Sequence, residues 1–140
     1  MKKNLIQAIF AAALGALLVG APAFALELPP AVVKWYDALR TADRAGFEAI
    51  LAPQAEISLK YLGIVQTRDE FIESLDAWED VARSADILTR ATSADAASAI
   101  VVVCYRFPSN QRLNRETFAL AGDTVTGMTQ EELAESCDGL

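Results

Sequence analysis

Residues 32–59 read VVKWYDALRTADRAGFEAILAPQAEISL, and across this stretch the hydrophobic period changes from that of a helix to that of a strand. Val32, Trp35, Tyr36 and Leu39 recur at i, i+3, i+4 and i+7, the spacing of one buried helical face. Pro29 and Pro30 set the start of that helix, where a missing amide hydrogen costs nothing. Asp43 stands where an N-cap belongs. Phe47, Ile50 and Leu51 then form the apolar face of a second short helix, which Pro53 is expected to end. From about Ala55 to Lys60 the apolar residues alternate, Ile57 and Leu59 against Glu56, Ser58 and Lys60, which predicts a half-buried strand.

Beyond this stretch, Gly63 breaks the extended segment between Tyr61 and Gln66. Thr67-Arg68-Asp69-Glu70 is a capping box, in which the threonine side chain and the glutamate three residues on satisfy orphan backbone amides. The spacing predicts a helix to about Ala82, with Phe71, Leu75, Trp78 and Ala82 on its core face and Ile72 beside it. Asp69, Glu73, Asp76 and Asp80 fall on the far side. A solvated face accounts for them, because a calcium site needs oxygens converging from a loop and not from a convex helix surface. After Ser84 the pattern is β: ADILTRAT, a turn at Ser93–Asp95, the apolar strand AASAIVVVCYRF, a turn at Pro108–Asn110, RLNRETFALA, a turn at Ala121–Asp123, and TVTGMT. Helix, helix, strand, helix and then four strands joined by tight turns is an α+β order, with the helices packed on one face of a mainly antiparallel sheet. Glu131, Glu132 and Glu135 read as a solvated acidic segment near the C-terminus.

The chain opens with Lys2 and Lys3, an apolar run from Leu5 to Val19, and the small-x-small triplet Ala23-Phe24-Ala25, the pattern of a cleaved secretory signal peptide. Residues 1–25 are therefore expected to be a leader and 26–140 a single domain, exported to the periplasm or beyond and free of the membrane after cleavage. In an oxidising compartment the only two cysteines, Cys104 and Cys137, are expected to form one disulfide. With 19 acidic against 12 basic residues the formal charge is −7, and since Lys2 and Lys3 lie in the leader the domain itself is more acidic still. That balance disfavours nucleic acid and anionic membrane surfaces. The absence of histidine excludes Ser-His-Asp and Cys-His catalysis and any histidine-ligated zinc. No motif calls for a metal or a cofactor.

The run VVKWYDALRTADRAGFEAILAPQAEISL, the capped helix RDEFIESL and the four-strand meander resemble the nuclear transport factor 2-like superfamily, which includes SnoaL-like cyclases, scytalone dehydratase and ketosteroid isomerase. The resemblance covers nearly all of residues 26–140. It implies a cone-shaped α+β barrel, a strongly curved sheet wrapped around three N-terminal helices, with an apolar pocket and often a homodimer. It does not imply one function, because the scaffold carries enzymes, ligand binders and interaction modules.

The resemblance to the isomerase places that enzyme's pocket tyrosine on Tyr36 and its protonated acid near Glu116. The strand period agrees with an inward Glu116, since Asn114, Glu116, Phe118 and Leu120 share a face; such an acid has a raised pKa if no base faces it. Two readings of Glu116 stand at this point: a donor to a ligand oxygen, or a buried salt bridge to a strand arginine such as Arg90, Arg106 or Arg115. Tyr36 is likewise either a ligand contact or a core aromatic. The isomerase's general base would fall at Leu59, which cannot abstract a proton. The expected pocket therefore comprises Tyr36, Leu59, Trp78, Glu116 and Phe118, and the expected function is binding of a small apolar or amphipathic ligand. A lyase or isomerase using Tyr36 and Glu116 is the enzyme alternative. A homodimerising interaction module, with the small and β-branched side chains of Ala97 to Val103 packing on a second sheet, is the third.

Overall fold

A computed structural model describes residues 25–140, so all but the last residue of the expected leader lies outside the described residues. No described helix is long and apolar enough to cross a membrane. The elements run α1 (Pro30–Thr41), α2 (Arg44–Ile50), β1 (Leu51–Leu59), a 3-10 turn (Lys60–Leu62), β2 (Ile64–Thr67), α3 (Arg68–Ala82), β3 (Asp86–Ala94), β4 (Ser98–Arg106), β5 (Gln111–Ala121) and β6 (Thr124–Ala134).

The strands form one six-stranded sheet in the order β2-β1-β6-β5-β4-β3, antiparallel except where β1 lies parallel to β6. The sheet is curved and does not close, leaving β2 and β3 as its edges. The three helices cover its concave side, and the face of α1 read from the sequence is the buried one: Val32, Trp35, Tyr36 and Leu39 all enter the core. At the centre the Trp35 ring stacks on Phe71, centroids 5.1 Å apart, and meets Phe47 and Phe118 edge to face.

Local signals set most boundaries. Pro30 opens α1, and Ala42 closes it in the left-handed conformation, φ 50°. The Asp43 carboxylate accepts from the amide of Gly46 at the start of α2. Both halves of the Thr67/Glu70 capping box are formed. Cys104 and Cys137 are bonded, which ties the segment after β6 to the outward face of β4 beside Val102 and Leu113.

Three expectations need correction. Pro53 does not end α2; the helix stops at Ile50 and Pro53 lies inside β1. The strand tolerates it because the pairing of β1 with β6 shifts between Leu51 and Glu56, and the pairing with β2 begins only at Glu56, so no ladder partner needs the missing amide. The turn expected at Ser93–Asp95 falls later, with β3 reaching Ala94 and the Asp95 carboxylate accepting from the amides of Ala97 and Ser98. Finally, Glu131 and Glu132 do not lie beyond the last strand. They belong to β6, where Glu131 pairs with Lys60 and Arg115 and Glu132 with Arg112.

Candidate functional site

The concave side of the sheet carries a cavity of about 220 Å³ between α1, α3 and strands β1, β4, β5 and β6. Six aromatic side chains stand on its wall: Trp35 from α1, Phe71 and Trp78 from α3, Tyr105 at the end of β4, Phe107 just past it, and Tyr61. Trp78 stands nearly perpendicular to both Tyr105 and Phe107, at 88° and 82°, and its indole N–H is anchored on the Leu39 carbonyl at 2.7 Å. Leu39, Leu59, Leu75 and Met128 fill in the apolar lining.

Polar groups on this wall are few. Gln66, Ser74, Asn114 and Gln130 contribute amides and a hydroxyl, and Arg112 is the one charged residue among the described lining. Ser74 donates to the carbonyl of Phe71. Arg112 is committed to Glu132 and Glu135. Asn114 is different: it is 5 % exposed and its Oδ1 has no hydrogen-bond partner among the described residues. An unpaired acceptor in such surroundings costs about 1–3 kcal/mol, so it marks a place where a partner is missing. The Trp35 indole N–H is also unpaired, enclosed among the rings of Phe47, Phe71 and Phe118.

Behind the wall lies Glu116, fully buried. Its Oε2 accepts from the Tyr36 hydroxyl at 2.6 Å; its Oε1 accepts from the Tyr105 hydroxyl at 2.5 Å and from the Gln130 amide at 2.7 Å. No arginine or lysine among the described residues reaches it, so the salt-bridge reading is corrected: Arg115 points outward to Glu131, and Arg90 reaches the Gly139 carbonyl. Burial raises the Glu116 carboxyl above the ordinary carboxylate range, and the bonds from Tyr105, Tyr36 and Gln130 pull it back part of the way. Burial and the neighbouring Glu116 charge push both tyrosines well above the usual phenol range, so they stay protonated donors.

Of the residues expected in the pocket, Leu59 and Trp78 line the cavity. Tyr36, Glu116 and Phe118 are enclosed behind it, and Tyr36 and Glu116 bond to each other instead of converging on open space. Sequence reasoning missed Asn114 as a wall residue and Tyr105 and Gln130 as the link between cavity and carboxylate. Asn114 shares the inward face of β5 with Glu116. The side chains of Tyr105 and Gln130 meet Glu116 through strand pairings that no single stretch of sequence displays.

No protein-family model and no curated protein matches the sequence. Solved structures match the fold. A protein from Sphaerobacter thermophilus superposes with a TM-score of 0.63 at 17% identity, covering 74% of this chain and 94% of its own. A nuclear transport factor 2-like protein of unknown function from Burkholderia xenovorans gives 0.61 at 13% identity, over 77% and 85% of the two chains. A protein of ketosteroid isomerase-like fold from Catenulispora acidiphila, solved in complex with trimethylamine, gives 0.60 at 12%, over 75% and 86%. This chain has the nuclear transport factor 2-like fold. Leu59 faces the cavity with an alkyl side chain from the end of β1. The nuclear transport factor 2-like cone of this chain thus offers an aromatic container with a few hydrogen-bonding groups on its wall and a carboxylate behind them.

Proposed function

We propose that this nuclear transport factor 2-like domain is exported and binds a small apolar or amphipathic molecule in the cavity beside Trp35, Trp78 and Tyr105. The observation that carries the reading is Asn114, a buried amide on an aromatic-walled cavity whose Oδ1 lacks a partner. Binding sites combine such apolar walls with a few convergent polar groups. An apolar cavity of about 150 Å³ holds benzene, so by proportion about 220 Å³ has room for roughly nine heavy atoms. Export is supported by the leader pattern of residues 1–25 and by the Cys104–Cys137 bridge, and is tested by fractionating the native host and sequencing the mature N-terminus.

Calorimetric titration with cyclohexanol tests the binding reading. One saturable site is expected, lost in Leu59→Trp, whose indole fills the cavity from β1. Absence of saturable heat in the parent, or equal binding in a folded Leu59→Trp, refutes it.

Self-association is a second part of the proposal, supported by Ile100 on the outward side of β4 and its neighbour Thr117 on β5. A monomer by light scattering at high protein concentration counts against it.

A further inference from the structure

The hydrogen bonds behind the cavity wall bias what two of its polar groups offer. Tyr105 and Gln130 both line the cavity; Tyr105 gives its one hydroxyl hydrogen to Glu116, and Gln130 gives one of its two amide hydrogens. What remains is a lone pair on the Tyr105 hydroxyl oxygen and, from Gln130, Oε1 and one N–H; Trp35, also on the wall, keeps an indole N–H unpaired among the described residues. The unpaired Oδ1 of Asn114 is a third acceptor. Aromatic side chains dominate the rest of the wall, and their π faces are negative.

The charge pattern points the same way. Tyr36 from α1, Tyr105 from β4 and Gln130 from β6 face Glu116, and none of the three carries a positive charge. Arg40 is bonded to Asp37 and to the Ile87 carbonyl. Arg112 on the cavity wall is engaged by Glu132 and Glu135. An ionised buried carboxylate is costly without a cation to face it.

We propose that the cavity is selective for a small organic ammonium ion, its alkyl groups against the faces of Trp78, Tyr105 and Phe107 and its charge complemented by Glu116 through Tyr105 and Gln130. This rests on the cavity being the binding site. Alkylammonium groups are held by aromatic rings through the ring quadrupole, more strongly where the site is desolvated. A cation in the cavity also stabilises the ionised form of Glu116, since its positive field reaches the carboxylate across one layer of hydrogen bonds.

The test compares choline with its neutral isostere 3,3-dimethylbutan-1-ol by calorimetric titration of the full domain. The two have the same shape and differ in charge. The expected result is that choline binds about tenfold tighter, and that Glu116→Gln weakens choline and narrows the ratio towards one. Equal or tighter binding of the alcohol to the parent protein overturns the proposal and leaves the cavity as a neutral-ligand site. An unchanged ratio in a folded Glu116→Gln overturns the role of Glu116. If neither compound binds, the cavity reading itself fails. Should Glu116→Gln not fold, the comparison on the parent protein still decides the ammonium claim.

Discussion

Replacing Tyr36 by phenylalanine removes one oxygen from the buried cluster and leaves the ring in place against Phe118. In the parent, the Tyr36 hydroxyl is the one donor to Oε2 of Glu116, at 2.6 Å. Deleting it strands a fully buried carboxylate oxygen, because Tyr105 and Gln130 both serve Oε1. A hydrogen bond to a charged group is worth about 1.5–3 kcal/mol and one to a neutral group about 1 kcal/mol. The loss is therefore about 2 kcal/mol where Glu116 is ionised and about 1 kcal/mol where it is protonated. For a domain of this size 1 kcal/mol corresponds to about 4 °C in Tm, so the larger loss is about 8 °C.

The pH dependence follows from the raised carboxyl. Folded Glu116 holds its proton more tightly than the unfolded chain does, so its own contribution to stability is greatest in acid, falls as pH rises from the ordinary carboxylate range through the raised value, and is level above it. Tyr36→Phe removes one of the bonds that lower that value, so the deficit of the variant must grow from acid to neutral pH. Urea titrations of both proteins in acid and at neutral pH measure it. A deficit under about 0.5 kcal/mol at neutral pH, or one that shrinks as pH rises, refutes the hydrogen bond and the burial of Glu116 together.

Ala42 sits at φ 50° after α1, a conformation that costs an L-residue about 1–2 kcal/mol. Ala42→Gly is expected to raise stability by about 0.5–1 kcal/mol in chemical denaturation, less than the full strain because glycine also loosens the unfolded chain. The Cys104–Cys137 bridge spans a sequence separation of 33, and loop entropy puts its worth at about 4 kcal/mol; the double alanine variant should lose about that much, and an unchanged midpoint would contradict it. Thr67→Ala breaks the side-chain half of the capping box of α3 and should cost about 1 kcal/mol, read by the same titration.

The parts of the fold legible in the sequence are those written in local periodicity and capping. The buried face of α1, the Thr67/Glu70 start of α3 and the inward turn of Glu116 all came from spacing within one element. Pro53 misled because a proline is a helix breaker only where the chain would otherwise remain helical, and here the break had come at Ile50, before it. The candidate site was legible only in part, since its geometry is set between strands. Pairing puts Val101 opposite Glu116 and Tyr105 opposite Arg112, so Tyr105 starts about 13 Å further along the sheet. The two side chains meet because both are long and reach towards each other along the concave face. That contact moved Tyr36 and Glu116 from the expected pocket wall to the layer behind it. It also turned Tyr105 and Gln130, which no motif marked, into the surface a ligand would touch.

The claim on which the account rests is that the concave cavity is where a ligand sits, and methyl-resolved NMR during titration with choline and with 3,3-dimethylbutan-1-ol tests it most directly. Met128, Leu59 and Leu75 line the cavity, whereas Leu88 and Leu133, at 40% and 41% exposure, lie away from it. Saturable shifts are expected at Met128, Leu59 and Leu75 with at least one of the two compounds, and still signals at Leu88 and Leu133. Shifts confined to Leu88 and Leu133, or no saturable shift at any cavity methyl with either compound, would contradict it.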